Sequence, residues 1–268
     1  MPREVRDGYD AAMIPRLVAT QFHRYMGSGR TRPVLCTCQG AGDAGGDFVI
    51  KLRGCLEHGT TGLAFELLAS QLATYFGIPT PAPAVVALDR RMIELMAPRA
   101  VRTECVRAST GDNFGSAEIR GGATVPVDLH VPPAEAGRMI AFDALIQNPD
   151  RRFNNPNLLL QGDRILALDH ELAFSFVFGI APSPEPWKLT DPYPFDQHVL
   201  FRSVKGRVLD LQGFTSKLAG LSPEIIAAMQ SELPQEWENQ HMAAIARYLA
   251  VMSAHAVEFI QGVGRRLA

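Results

Sequence analysis

Three oxygen-bearing side chains stand close together in the chain. Asp150 and Asn155 lie in NPDRRFNNPN (148–157), and Asp169 lies in ALDHELAF (167–174). Phosphoryl transfer needs a carboxylate to orient the attacking hydroxyl and hard oxygen ligands to hold magnesium on the phosphates. In the pattern D-x-x-x-x-N followed by a second aspartate, Asp150 suits the base, Asn155 a metal ligand and Asp169 the main metal carboxylate. The same residues also read as a polar Asx-turn loop and a capping aspartate, and D-x-x-x-x-N alone is a weak signal. LLL and ILAL flank QGDR (161–164) as two short strands. Such a hairpin would return Asp169 to the side of Asp150 and Asn155.

The same chemistry needs a cation on the nucleotide phosphates and a carboxylate to hold that cation in place. FVIKL supplies Lys51, and the segment GLAFELLASQL supplies Glu66. A lysine between apolar neighbours on a half-buried strand is costly unless paired. Taken alone, the two residues read equally well as a snorkelling lysine and a solvated helix glutamate. Backbone amides for the phosphates come from a glycine loop. QGAGDAGG carries a literal G-x-G-x-x-G at Gly40, Gly42 and Gly45, but Gly45 is too near Lys51 for a strand to intervene. MGSGRTRP precedes the strand PVLCTC, so Gly27, Ser28 and Gly29 are the expected phosphate loop. HGTTG, ahead of Glu66, reads either as a helix cap or as further amides aimed at the site. MIELM (92–96) reads as a strand leading away from the sheet, with Glu94, Leu95 and Met96 receiving the adenine by position.

The elements that must place these groups follow from periodicity. Residues 15–26 read as a strand or short helix, PVLCTC and DFVIKL as a hairpin, and PAPAVVALDRRMIELM as two further strands. Residues 62–77 have helical spacing, with Leu63, Leu67 and Leu72 on one side and Gly77 and Pro79 as the stop. The first hundred residues are therefore expected to form a mostly antiparallel sheet with one inserted helix. Residues 101–130 read as irregular, and Pro133 onwards as a helix delivering the chain to Asp150. The five prolines of 175–198 exclude a regular element. The end reads as helical, starting at Ser222-Pro223-Glu224 and finishing in one long amphipathic helix to about Ile260.

Composition sets the outer bounds. The chain has 268 residues, 47% of them hydrophobic and 20% charged, with a formal net charge of −2. That balance gives no argument for a nucleic-acid coat or a membrane-surface patch. No apolar run approaches the roughly 18 residues of a membrane helix, and MPREVRDGYD lacks the apolar core of a signal peptide. A cytoplasmic location is expected. Cys36, Cys38, Cys55 and His58 could be grouped as a zinc set, but the spacing fits poorly and reduced core thiols are the better reading.

The motifs NPDRRFNNPNLLL, LALDHELAF, FVIKLRG and ELLASQLATYFGIPTP, with GSGRTRP and DNFGS, resemble those of the HipA-like kinases, a branch of the kinase fold also similar to phosphatidylinositol kinases. The resemblance implies an α+β, two-lobed protein kinase-like fold. A small antiparallel-sheet lobe with one helix (1–98) would precede a larger, mainly helical lobe (99–268). It implies ATP with magnesium, transfer to a serine or threonine of a protein, and a bacterial source. By position it makes Asp150 the base, Asn155 and Asp169 the metal ligands, Lys51 the phosphate lysine and Glu66 its partner. Ser28 falls where self-phosphorylation can inhibit the family. The best-known members have an extra N-terminal subdomain and a larger helical lobe, phosphorylate an aminoacyl-tRNA synthetase and pair with a DNA-binding antitoxin. A 268-residue chain is expected to lack room for these additions. D-F-G is Asp169-His170-Glu171 here, which also matches the D-x-E of aminoglycoside and choline kinases. A small-molecule phosphotransferase and a non-catalytic nucleotide-binding module are the competing expectations. The proline-rich segment 179–198, with Trp187, stands where an activation segment would and reads either as an acceptor surface or as a loop packed on the larger lobe.

Overall fold

The computed structural model describes residues 13–27, 31–126, 131–179, 183–190 and 193–268. The chain opens with three antiparallel strands, β1 (Arg16–Tyr25), β2 (Val34–Gln39) and β3 (Gly45–Lys51). Helix α1 (Thr60–Phe76) follows and ends where Gly77 takes a left-handed backbone, with φ 73°, and returns its N–H to Ala73 and Thr74. Only a residue without Cβ adopts that conformation freely, which is why the helix stops there. Strand β4 (Pro83–Leu88) comes next, then α2 (Arg90–Met96), α3 (Thr103–Arg107) and β5 (Gly111–Ala117).

The expected, mostly antiparallel sheet closes into a barrel of order β1-β2-β3-β5-β4. Closure comes from a parallel pairing of β1 with β4, Arg16 opposite Val85 and Val18 opposite Ala87. Two irregularities in the β1–β2 register, at Ala19/Gln21 and Phe22/Arg24, bend β1 enough to reach round. The wall is close-packed at Gly115: a Cβ there would sit 2.6 Å from Val86 Cγ2. Inside pack Leu17, Phe22, Val34, Cys36, Ile50 and Val86.

Three expectations change here. MIELM is not a strand. Asp89 caps α2 by accepting the Met92 N–H at 2.7 Å, and Met92, Ile93 and Met96 bury at helical spacing. Residues 101–130 are not merely irregular, because they hold α3 and β5. A boundary at residue 98 would cut the barrel, since β5 is bonded between β3 and β4. GDNFGSA has poor strand propensity, and the ladders on both its sides override it.

Beyond the barrel lie β6 (Ala123–Thr124), α4 (Pro133–Leu145), and the hairpin of β7 (Leu158–Gln161) and β8 (Arg164–Ala167), which with β6 makes a three-stranded sheet. Short 3-10 turns occupy 175–178, 186–188 and 195–197. Helices α5 (Phe201–Val204), α6 (Gln212–Ala219), α7 (Pro223–Ser231), α8 (Met242–Ala254) and α9 (Ala256–Leu267) complete the chain. The single long terminal helix expected to Ile260 is thus two, bent by 85° at His255. Among the described residues no single helix is long and apolar enough to cross a membrane. A second, larger core joins α1 to α4, the hairpin and the C-terminal helices, with Phe65, Leu68, Phe142, Leu145, Trp237 and Phe259 buried in it. Glu232 and Glu236 tie this part to the barrel, through the Ile14 N–H and Arg53 respectively.

Candidate active site

Lys51 is the last residue of β3, and its backbone is fixed opposite Phe114. Glu66 lies in the body of α1, a helix buried on most of its circumference between the barrel and the larger core. The Lys51 Nζ stands 2.7 Å from Glu66 Oε2, 2.6 Å from Asp169 Oδ1 and 3.7 Å from Glu171 Oε2. The His170 N–H donates to the same Glu66 oxygen at 2.8 Å. Burial alone would push the lysine down and the glutamate up. Three carboxylates outweigh burial at Lys51, which is held above its ordinary range. At Glu66 the Lys51 and His170 contacts outweigh burial and hold the carboxyl below its usual range. Both stay charged. Asp169 is the open member, with 39% of its side chain exposed.

Asp150 lies in the loop between α4 and β7. Its Oδ2 accepts from Asn155 Nδ2 at 2.8 Å and from Asn157 Nδ2 at 3.1 Å. The loop is anchored by Arg151, whose guanidinium is fully buried against Asp143 of α4 at 2.5 and 3.1 Å. Its remaining nitrogen, Nη1, donates to the carbonyls of Asn157 at 2.6 Å and Leu168 at 3.1 Å. One buried cation thus ties the Asp150 loop to the residue before Asp169. His198 completes the anchor. Its Nδ1 accepts the Leu200 N–H at 3.1 Å, so Nε2 carries the proton donated to Asp143 Oδ2, also at 3.1 Å. Burial opposes the charge on Asp143, yet Arg151 and His198 hold it well below the usual carboxylate range.

The hairpin delivers Asp169 in a left-handed backbone conformation, φ 54°, and Asn157 at its other mouth has φ 47°. Gln147 and Phe174 share this region, so four of the six such non-glycine residues described fall between 147 and 174. Strain of this kind, on the order of 1–3 kcal/mol each, persists only where surrounding contacts enforce it, and it gathers at functional sites.

The glycine segments separate cleanly. Tyr25 pairs with Val34 and Val34 with Ile50, so the β1–β2 turn holding Gly27 lies at the Lys51 end of the barrel. Ser28 and Gly29 lie outside the described residues. Gln39 pairs with Gly45, which puts the QGAGDAGG turn at the opposite end of β3. Glu94, Leu95 and Met96 are on helix α2. Glu94 is exposed and bonded to Arg90, Leu95 is exposed, and Met96 is buried in the barrel core with its carbonyl on Tyr25. Their assignment to the adenine rested on a strand there, and that premise fails. HGTTG places Gly59 before α1 without any side-chain cap. Trp187 stacks on His255 at 3.8 Å, packing residues 186–188 against the C-terminal helices. The four cysteines are free, and burial pushes Cys36 and Cys38 up to about 12.

The structure therefore gathers Lys51, Glu66 and Asp169 in one group and Asp150 with Asn155 in another, and Arg151 joins the two. Among the described residues no three of His, Cys, Asp and Glu converge to hold a metal. A cation beside Asp169 would need amide and phosphate oxygens, a donor set that suits magnesium. Asn157, Arg151, Asp143 and His198 escaped the sequence reading. Only Asn157 left a local signal, as an asparagine immediately before the apolar run LLL.

The sequence model of the family described as HipA-like kinase matches residues 19–255. Comparison with curated proteins gave no match.

Proposed function

Because the chain belongs to the HipA-like kinase family, we propose that it transfers the γ-phosphate of ATP, with magnesium, to a serine or threonine hydroxyl of a protein. The observation that carries this reading is Lys51, bonded at once to Glu66 and Asp169. A lysine so held keeps its charge at any working pH and presents it at the end of β3, beside the β1–β2 turn. In this reading the barrel is the small lobe of a kinase-like fold and α4 to α9 the larger one.

Asp150 is the base that orients the acceptor hydroxyl and takes its proton. Two amide N–H donors on Oδ2 fix the carboxylate, leaving Oδ1 to face the acceptor. Lys51 neutralises phosphate charge, and Glu66 keeps it from following the departing nucleotide. Magnesium, when bound at Asp169, supplies further neutralisation of the phosphates.

A second reading, a small-molecule phosphotransferase, rests on Glu171, whose carboxylate lies beside Lys51 in a D-x-E arrangement. The test is transfer of labelled γ-phosphate by the purified protein in a host lysate, wild type against Asp169→Ala. A labelled protein band lost in the variant supports the protein kinase. ATP consumption with no labelled protein favours the small acceptor. No consumption at all overturns both readings in favour of a binding module.

A further inference from the structure

We propose that Cys55 and Cys105 form a redox pair, oxidised by a hydroperoxide to a disulfide that ties the connection between β3 and α1 to helix α3. Neither thiol belongs to the Lys51–Asp169 group, and the proposal does not depend on the phosphoryl-transfer reading.

The backbone brings the two residues together. Cys55 ends the 3-10 turn Arg53–Cys55 that follows β3, and Cys105 is the middle residue of α3. The Gly54 N–H donates to Ser109 Oγ at 3.0 Å, and that hydroxyl donates to the Cys105 carbonyl at 2.8 Å. One buried hydroxyl therefore fixes the turn against the helix. The approach leaves no room for a side chain at Gly54. A Cβ there would run into the Cys105 carbonyl oxygen and lie 2.8 Å from Ala108 Cβ. A second tie runs alongside, with the Arg53 N–H donating to Asn113 Oδ1 at 2.8 Å and Asn113 Nδ2 to the Ser109 carbonyl at 2.9 Å. Across this seam the two thiols are hydrogen-bonded to each other. With backbones held this near, a small shift of the five-residue helix α3 turns the contact into a bond.

The two thiols divide the chemistry between them. Cys105 is partly exposed and meets the oxidant, whereas Cys55 is buried. Burial, and then the neighbouring Cys105, push the Cys55 thiol up to about 12. The thiolate is the nucleophile toward a peroxide, so the first step falls to Cys105. Its sulfur attacks the O–O bond of hydrogen peroxide, keeps one oxygen as a sulfenic acid and releases the other as water. The Cys55 sulfur then attacks the sulfenic sulfur. The S–S bond forms, and the Cys55 proton leaves with the sulfenic oxygen as a second water. Two thiols lose two electrons and two protons, and one peroxide becomes two waters. Cys36 and Cys38 do not compete, because both are sealed in the barrel core and Cys38 Sγ is turned to the Cys36 carbonyl at 3.7 Å.

The test treats the reduced full-length protein with hydrogen peroxide, alkylates the remaining thiols and maps tryptic peptides by mass spectrometry. Trypsin separates residues 31–51, with Cys36 and Cys38, from 54–90, with Cys55, and from 103–107, with Cys105. The expected product is 54–90 joined to 103–107, lighter than the two reduced peptides by two hydrogens and separated again by dithiothreitol. Closing the loop from Cys55 to Cys105 should also raise the urea midpoint by about 1 M or more. Cys105→Ser, a change at the partly exposed thiol, should fold as wild type and show neither effect. A cross-link to 31–51, oxidation of Cys105 beyond the sulfenic acid without a cross-link, or no loss of thiols would overturn the proposal. A rise in midpoint that persists in Cys105→Ser would overturn it as well.

Discussion

Lys51 and Asp169 meet at 2.6 Å across a separation of 118 residues, joining the end of a barrel strand to the mouth of a distant hairpin. Asp169 is the partly exposed partner and Glu66 the buried one. In the proposed reaction a cation at Asp169 would compete with Lys51 for the same carboxylate, while Glu66 would keep its bond to the lysine.

Replacing the lysine exposes that arrangement. Lys51→Met is expected to lower phosphoryl transfer by about 10²-fold or more, since it removes a preorganised charge from the phosphates. It also leaves Glu66 buried without its cation, at a cost of about 3–5 kcal/mol. Labelled-phosphate transfer and urea denaturation of the same preparation measure the two effects separately. A variant as active as wild type would remove Lys51 from the site.

Asp150→Asn should separate chemistry from binding. Loss of a general base lowers transfer by about 10²–10⁴-fold. The nucleotide contacts assigned to Lys51 and Asp169 are untouched, so ADP affinity measured by calorimetry should stay within a few-fold. A parallel loss of affinity would mean that Asp150 holds the nucleotide instead.

The Arg151–Asp143 pair is wholly buried, so removing one partner strands the other. Arg151→Met is expected to destabilise the fold by about 3–5 kcal/mol, seen as a lower urea midpoint. Because Arg151 also holds the carbonyls of Asn157 and Leu168, transfer should drop even under conditions where the variant remains folded. Full activity in the folded variant would show that the clamp does not matter to the site.

Acid should unfold the protein in two stages. Burial outweighs the pull of Asp143 and lowers His198 in the folded state, while Glu66 and Asp143 are lowered by their cations. For each group the unfolded chain binds more protons at low pH. Stability is complete above the unfolded values, about 6.5 for histidine and about 4 for carboxylates, and is lost as pH falls toward the folded ones. Urea midpoints should fall gently below about pH 6.5 and steeply below about pH 4.5. His198→Gln should flatten the first stage, and a first stage that persists would contradict this account.

The QGAGDAGG turn offers a control far from the chemistry. Gly42 has φ 63° and open space around it. Gly42→Ala should cost about 1 kcal/mol through the backbone alone and leave transfer unchanged. A large loss of transfer would return that turn to the phosphate site.

Much of this was legible because local signals act locally. The helical spacing of Leu63, Leu67 and Leu72, with Gly77 behind it, marked α1 nearly to the residue. QGDR between two apolar runs marked the hairpin of β7 and β8. The misses have physical causes as well. At MIELM the alternation of apolar residues masked the Asp89 cap, which only the Met92 N–H reveals. At DNFGS, glycine, aspartate and asparagine argued against the strand that two neighbouring ladders impose. At His255 the chain breaks a helix whose composition runs on without a stop.

Residue type and spacing by themselves pointed to side chains suited to the proposed chemistry. A strand lysine, a helix glutamate and two aspartates bracketing a hairpin can be read one after another along the chain. Tertiary structure decided which of them meet. The closure of β1 on β4 and the bond from His198 to the Arg151–Asp143 pair rest on contacts between residues far apart in sequence. Those depend on burial and shape across the whole molecule, and no local pattern of propensity encodes them.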